Sequence, residues 1–243
     1  TATTEIYNLS LHDALPILSV DDIKDMIKKH GEIFIKPVFK GGVGKKGKSG
    51  LIGRAKNFTD ALKEKERLYF AEHKIGNISA KSDGVTYEAA VPADHEVYFS
   101  ISDSTVHRAP IMTLTHHGGV DIEELPEDKI AVVPFDALTG LKAFHVSNAL
   151  VGLGAPPAII SPLVQNLPKL WDLYNNYGMT MLELNPIRMM PGKGGRYTPL
   201  ACDFKCAFDQ DDPAWKRLEL PSHVFAEDKD RKSTRLNSSH TSI

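Results

Sequence analysis

Cysteine is nearly absent from this chain: Cys202 and Cys206 are the two among 243 residues. Two cannot build a disulfide framework, and a lone C-x-x-x-C spacing falls short of the ligand count of a structural zinc site. They read as reduced thiols in a reducing compartment, with Cys202 in the core. The sequence also lacks an apolar run long enough to span a bilayer. Nor does either sign of charge dominate, since 29 Lys and Arg stand against 31 Asp and Glu for a formal net charge of -2. That balance argues against non-specific binding to nucleic acid. Neither nucleic acid nor membrane is expected as a partner. What is present, 42% hydrophobic and 25% charged residues, is the make-up of an ordinary globular protein with one large domain or two small ones.

The two ends read differently from the middle. Thr1 to Ile17, apart from Asn8, resembles a short-read sequencing adapter translated in frame, and Asp230 to His240 resembles the opposite adapter. Residues 1–17 and 230–243 are therefore set aside from fold and targeting arguments, and 18–229 are read as a segment cut short on both sides.

The stretches Met181-Leu182-Glu183-Leu184-Asn185-Pro186 and Leu200-Ala201-Cys202-Asp203-Phe204-Lys205 are β-prone, and Pro191-Gly192-Lys193-Gly194-Gly195 between them is dense in turn residues. One antiparallel hairpin follows. Alternation puts Glu183 and Asn185 on one side of the first strand, and Ala201, Asp203 and Lys205 on one side of the second. A register centred on Gly194 sets Asn185 across from Asp203 and Glu183 across from Lys205. An amide oxygen and a carboxylate then meet at a sheet surface. That donor set suits Mg²⁺, which takes oxygen ligands and few of them from protein. The plainer reading of the same residues is a hairpin with a polar face.

Upstream, Ser19-Val20-Asp21-Asp22 resembles a capping box, and Ile23, Met26 and Ile27 follow at helical spacing up to Gly31. Glu32 to Lys36 reads as a strand that Lys36-Pro37 leads into the loop Lys40 to Gly50, with four lysines among its glycines. Glycine lets backbone N–H groups approach phosphate oxygens closely, and lysine adds positive potential. Gly42 to Ser49 satisfies the P-loop pattern, which requires a helix at its end. Gly50 to Ala55 looks like a second strand instead. Three readings stand: a glycine-rich β-turn-β flap over a nucleotide, a P-loop using Lys48 and Ser49, and a solvated basic loop.

Asn57-Phe58-Thr59-Asp60 caps a charged helix to about His73, with Leu62, Tyr69 and Phe70 turned inward. Ile75 to Gly84 reads as a polar connection. Strands follow over Val85–Val91, His95–Ser102 and Ile111–Thr115. Glu88 and Glu96, near the crossover, have the chemistry to accept hydrogen bonds from an adenine amino group and ribose hydroxyls; taken without the glycine-rich loop, either acid reads as a solvated edge residue. His116 and His117, as strand neighbours, point to opposite faces and are set aside as ligands of one metal. Two helices, Lys142 to Leu153 and Ser161 to Gly178 with a restart at Pro168, return the chain to the hairpin. Leu167, Leu170, Trp171 and Tyr174 form one apolar stripe.

Together these motifs resemble the ATP-grasp region of acid-CoA ligases, above all the succinyl-CoA synthetase beta subunit and the amino-terminal part of ATP-citrate lyase. The strongest are Gly118-Gly119-Val120-Asp121-Ile122-Glu123, Leu138-Thr139-Gly140, Leu182-Glu183-Leu184-Asn185-Pro186, and Asp203-Phe204-Lys205 followed by Asp209 to Arg217. The resemblance implies an α/β (α+β) ATP-grasp fold of two subdomains with the nucleotide between them. Residues 18–85 would form the small subdomain with its flap, and 86–229 the large one with the metal hairpin. Mg²⁺ and ATP or GTP are the implied cofactors. Lys36 matches the lysine on the nucleotide phosphates, and Gly42-Val43-Gly44 the phosphate-covering turn. Glu88 and Glu96 match nucleotide-contacting acids, with Val91 between them acting through its backbone. Asn185 and Asp203 match the two Mg²⁺ ligands, and Glu183 a catalytic glutamate that faces a phosphohistidine.

Val43 departs from the family, standing where succinyl-CoA synthetases usually carry arginine, and Lys36 sits one residue closer to the glycines. Lys36-Pro37 and His116-His117 lean toward the citrate-cleaving relatives, whereas Leu138-Thr139-Gly140 leans toward the succinate enzymes. The implied activity is phosphoryl transfer from the nucleotide that activates a small carboxylic acid for thioester formation with CoA. The implied partner is a CoA-binding alpha-type subunit carrying the phosphohistidine, in the cytoplasm or, in a eukaryote, the mitochondrial matrix. Alone, this segment is expected to turn nothing over. The rivals are a P-loop phosphohydrolase and a non-catalytic interaction domain that kept the fold but lost nucleotide affinity.

Overall fold

The computed structural model of the chain describes residues 10–11, 20–38, 50–69, 72–75, 78–82, 84–119, 122–209 and 212–213. The first half gives β1 (Ser10–Leu11), α1 (Val20–His30), β2 (Ile33–Val38), β3 (Gly53–Ala55), α2 (Phe58–Tyr69), β4 (Glu72–Ile75), β5 (Ile78–Lys81), β6 (Gly84–Ala89), β7 (His95–Ser104) and β8 (Ala109–Thr115). The second gives β9 (Ala131–Pro134), α3 (Ala143–Gly152), α4 (Pro157–Asn166), α5 (Leu170–Asn176), β10 (Met179–Pro191), β11 (Tyr197–Ala201) and β12 (Phe204–Phe208).

Period-two alternation divides the first sheet, ordered β3-β2-β6 and antiparallel throughout. Ile33 and Ile35 are fully buried, so Phe34 and Lys36 take the other face. The buried side packs on α1 and α2 through Ile23, Leu51, Ala55, Ala61, Leu68 and Tyr87. Asp21 and Asp22 open α1, Lys28, Lys29 and His30 close it, and Gly31 at φ 78 ends it. Asn57 caps α2, its Oδ1 accepting the Asp60 N–H at 2.9 Å. The inward face of α2 is not the expected one: Ala61 and Leu68 are buried, Leu62 and Tyr69 are exposed, and Phe70 lies outside the described residues. A helix that starts at Phe58 turns positions 61 and 68 toward the sheet, and the small Ala61 lets the backbones close up. Tyr69 ends α2 short of His73, because β4 and β5 pair as a hairpin in the stretch expected to be a connection.

β6 starts at Gly84 and stays with the small sheet to Ala89, and residues 90–94 then carry the chain across to β7. The larger sheet runs β1-β11-β10-β7-β8-β9, with β12 also pairing β10. Its pairs are antiparallel except β1 with β11, where Ser10 and Leu11 lie beside Leu200 and Ala201. The architecture is α+β with two largely antiparallel sheets, the ATP-grasp arrangement of the sequence reading. Helices α3, α4 and α5 cover one face of the large sheet, over Val97, Phe99, Ile101, Met112, Leu114, Leu182, Leu184, Ile187 and Met189. α4 opens at Pro157, ahead of the expected Ser161, since proline suits a first helical turn. Leu167, Leu170, Trp171 and Tyr174 all pack into this core. Among the described residues no helix is long and apolar enough to cross a membrane.

The Leu138-Thr139-Gly140 turn is locked by Asp136, whose Oδ1 accepts the N–H groups of Leu138 and Thr139 at 2.9 and 2.8 Å. Those amides hold the Asp136 carboxyl below its usual range. Gly140 has φ 74, and a Cβ there would stand 2.4 Å from the Trp171 ring. Gly140→Ala is therefore expected to cost about 2–4 kcal/mol, from the left-handed backbone and the displaced indole. Leu138→Ala, at a side chain 96% exposed, should stay within about 0.5 kcal/mol. Urea unfolding of the two variants checks this, and similar small losses in both would sink it.

Candidate functional site

The hairpin register is the expected one. Ile187 pairs Ala201, Arg188 pairs Leu200, and Glu183 pairs Lys205. Between these, the Asn185 N–H donates to the Asp203 carbonyl at 3.3 Å and the Cys202 N–H to the Pro186 carbonyl at 3.0 Å. Against β7, however, β10 slips by one residue: Leu184 pairs Phe99 but Ile187 pairs Val97. The slip falls at Asn185-Pro186, a cis peptide. A bulge of this kind inverts which residues face which way. Before it Leu182 and Leu184 are buried; after it Ile187 and Met189 are. Glu183 and Arg188 thus stand on the same polar face of β10, although their numbers have opposite parity. The second strand breaks alike at Cys202-Asp203, so Ala201 joins the core opposite Ile187. This corrects the expectation that it shares a side with Lys205.

On that polar face Glu183 lies directly across from the buried Ser100. The Tyr98 hydroxyl donates to Glu183 Oε2 at 3.2 Å. Burial first, and the nearby Glu183 and Glu123 carboxylates after it, push Tyr98 from 10.0 up to about 12. The hydroxyl therefore remains a donor to Glu183 at any physiological pH.

The small sheet turns Phe34, Lys36, Thr86 and Glu88 toward the large one. Lys36 Nζ pairs with Glu88 Oε2 at 2.7 Å, both side chains nearly buried. Glu96 is likewise paired, its Oε1 accepting from Arg188 Nε at 2.8 Å, and Arg188 Nη1 donates to the Val91 carbonyl at 2.9 Å. The guanidinium of Arg188 also lies over Phe34, 5.9 Å from the ring centroid, and Arg54 does the same at 5.1 Å. Behind Phe34 and Arg188 a cavity of about 510 Å³ opens toward the turn after α1, walled also by His30, Glu32, Lys56 and Pro92, and none of Lys36, Glu88 and Glu96 lines it. Cys202 sits beside this group, and burial raises its thiol pKa.

Three strands converge on Asn185. Gly118 packs flat on β7, its N–H donating to the Glu96 carbonyl at 2.8 Å, and the Gly119 N–H donates to Asn185 Oδ1 at 2.9 Å. Asp203 is exposed, with Oδ1 accepting the Phe204 N–H at 3.0 Å. One amide and one carboxylate oxygen, held by a backbone hydrogen bond between their residues, fit the few-ligand, hard-oxygen preference of Mg²⁺. Among the described residues no cluster of three or more His, Cys, Asp or Glu is placed to hold a metal. Gly42, Val43 and Gly44 lie outside the described residues, as do Lys48 and Ser49. Where the P-loop pattern needs a helix, Gly50 is a turn and Gly53 begins β3, antiparallel to β2. His116 and His117 follow the end of β8, so strand alternation does not apply to them. Their rings lie side by side with centroids 4.1 Å apart, not on opposite faces as expected.

A family model described as an ATP-grasp domain matches residues 4–189. The chain belongs to the ATP-grasp family. The ADP-forming succinate-CoA ligase subunit beta of Desulfatibacillum aliphaticivorans is 27% identical over 209 residues, 84% of this chain and 53% of that protein. An ADP-forming sulfoacetate-CoA ligase subunit of Bilophila wadsworthia is 29% identical over 181 residues, 73% of this chain and 45% of that one. The chain spans about half the length of the curated relatives it matches. Among solved structures, the ATP citrate lyase of Methanothrix soehngenii superposes with TM-score 0.60 at 19% identity over 93% of this chain and 52% of that one. The dinucleotide-forming acetyl-coenzyme A synthetase 1 of Ca. Korarchaeum cryptofilum gives 0.61 at 14% over 86% and 90%. These two likenesses speak for the fold alone.

Two residues of the ATP-grasp cleft escaped the sequence reading. Tyr98 carried a signal, since it alternates with Glu96 and Ser100 on one face of β7. Arg188 carried a fainter one, a lone cation in the apolar run Ile187-Arg188-Met189-Met190. Strict alternation from Glu183 assigns Arg188 to the core face, and only the bulge returns it. A tyrosine whose folded pKa is raised contributes stability that is complete below pH 10 and is lost as pH rises toward about 12, because the unfolded chain deprotonates first. Relative to Tyr98→Phe, the unsubstituted chain should therefore lose roughly 2–3 kcal/mol over that window. Urea midpoints measured from pH 8 to 12 test it, and parallel curves would contradict it.

Proposed function

We propose that this chain is the Mg-nucleotide-binding portion of an ADP-forming acid-CoA ligase, in which phosphoryl transfer from ATP or GTP activates a small carboxylic acid for thioester formation with CoA. The observation that carries the reading is the β10 pairing, which sets Glu183 across from Lys205 and hydrogen-bonds Asn185 to Asp203, with the ion pair of Lys36 and Glu88 close enough to Cys202, the residue before Asp203, to act on its thiol. Phosphoryl transfer asks little covalent chemistry of a protein and much charge placement. Mg²⁺, when bound by Asn185 and Asp203, would supply neutralisation of phosphate charge. Lys36 would meet phosphate oxygens from the small sheet, exchanging its pairing with Glu88 for the ligand. Gly42, Val43 and Gly44 would cover the phosphates, while Glu88, the Val91 backbone and Glu96 would hold the base and ribose.

Glu183, anchored by Tyr98, would orient an imidazole presented by a CoA-binding partner subunit and stabilise its charged form. Solved structures of the Ca. Korarchaeum enzyme, which shares the fold, contain Mg-AMPPCP with a phosphohistidine segment pointing toward the nucleotide site. The relatives' names cover succinate and sulfoacetate, so the acid is assigned only by class.

Calorimetric titration with Mg-ATP and Mg-GTP is the direct test. Asp203→Asn, at an exposed residue, should weaken binding at least ~10-fold without lowering the unfolding temperature. Lys36→Ala should weaken it as well, and Lys48→Ala only slightly; the reverse order would favour the P-loop rival. Absence of binding to either nucleotide would leave a non-catalytic interaction domain. Given Mg-ATP, CoA and succinate or citrate, the chain alone is expected to make no thioester, and measurable synthesis without a partner would refute the division of labour.

A further inference from the structure

The proposed function gives Arg188 no role. Arg188 reaches the polar face of β10 because of the bulge before it, and its guanidinium has three partners from three parts of the fold. Glu96 on β7 takes Nε at 2.8 Å, the Val91 carbonyl in the crossover takes Nη1 at 2.9 Å, and the Phe34 ring of the small sheet lies beneath its charge, 5.9 Å away at the centroid. Gly119 completes the arrangement, since a Cβ there would collide with Glu96 Oε2. One oxygen of Glu96 is thus held by Arg188, and the other faces a residue with no side chain to cover it.

We propose that Arg188 is a positioning residue for the nucleotide, holding Glu96 in the orientation that meets the ribose, with the Val91 carbonyl as its own second anchor. This rests on the function proposed above. An unheld glutamate has three rotatable bonds to order on binding, and it would bring an unpaired negative charge near a polyphosphate. A guanidinium removes both costs, because its planar fork serves two acceptors at once. Lysine would keep the charge and lose the fork.

The full chain is titrated with Mg-ATP and with Mg-2′,3′-dideoxy-ATP, which lacks the hydroxyls that Glu96 would bind. In the unsubstituted chain the dideoxy analogue should bind about 10-fold more weakly, the worth of a charge-assisted hydrogen bond. Arg188→Ala should weaken Mg-ATP about 10-fold and bring the two ligands level, while Arg188→Lys should retain part of the difference. If Arg188→Ala fails to fold, the discrimination measured in Arg188→Lys decides. Equal weakening of both ligands in the variants, or an unchanged ratio between them, would mean that Arg188 only packs, and would overturn the inference alone. No binding of Mg-ATP by the unsubstituted chain would overturn the nucleotide reading and this inference together.

Discussion

The pairing of β10 with β7 can satisfy the core and the cleft only by slipping one residue at Asn185-Pro186. Leu182, Leu184, Ile187 and Met189 are each at most 2% exposed, and burial of side chains of this size is worth roughly 1.5–3 kcal/mol apiece. An unbulged strand that buried the first pair would turn the second pair toward the polar cleft, forfeiting several kcal/mol. The slip keeps both pairs inside. It also gathers Glu183, Glu96 and Arg188 on the opposite face and leaves Asn185 at the irregular point, where its amide can reach the Gly119 N–H instead of a ladder neighbour.

Charge in the cleft is arranged in cation and acid pairs. Lys36 with Glu88 belongs to the small sheet, and Arg188 with Glu96 to the large one. Each pair puts an acid expected to meet a nucleotide beside a cation. Buried ion pairs contribute little net stability against an apolar substitute, because desolvation offsets the attraction. Their retention in a half-buried cleft accords better with ligand placement than with fold stability. Arg188 also links the sheets through Phe34 and the crossover carbonyl of Val91, which ties the crossover to the hairpin.

Much of this was readable residue by residue where one local rule sufficed. Gly31 and Asn57 marked helix ends, and the β-prone runs around Gly194 yielded the register, because turn chemistry and strand length fix it without outside help. Glu183 opposite Lys205 and Asn185 beside Asp203 followed from that register. Alternation failed at Ala201 and would have failed at Arg188, since a bulge is selected by what the neighbouring strand can bury. The inward face of α2 failed for a related reason: hydrophobic size favoured Leu62, whereas close packing on the sheet favoured Ala61. His116 and His117 were misread because the end of β8 at Thr115 was not visible in the residues themselves.

Local backbone preference, which acts within a few residues, was enough to determine from the sequence the antiparallel hairpin and the strands that carry the acids at the crossover, while the ATP-grasp fold came from the resemblance of several motifs, in order, to a known family. The tertiary structure alone decided that Arg188 faces the cleft, that Tyr98 holds Glu183, and that Gly119 approaches both Asn185 and Glu96. Of these contacts, Gly119 with Asn185, Tyr98 with Glu183 and Arg188 with Glu96 join residues 66, 85 and 92 positions apart. The placing of Arg188 and of Asn185 depends on a one-residue slip whose energy comes from burial across strands, a quantity that no single segment carries.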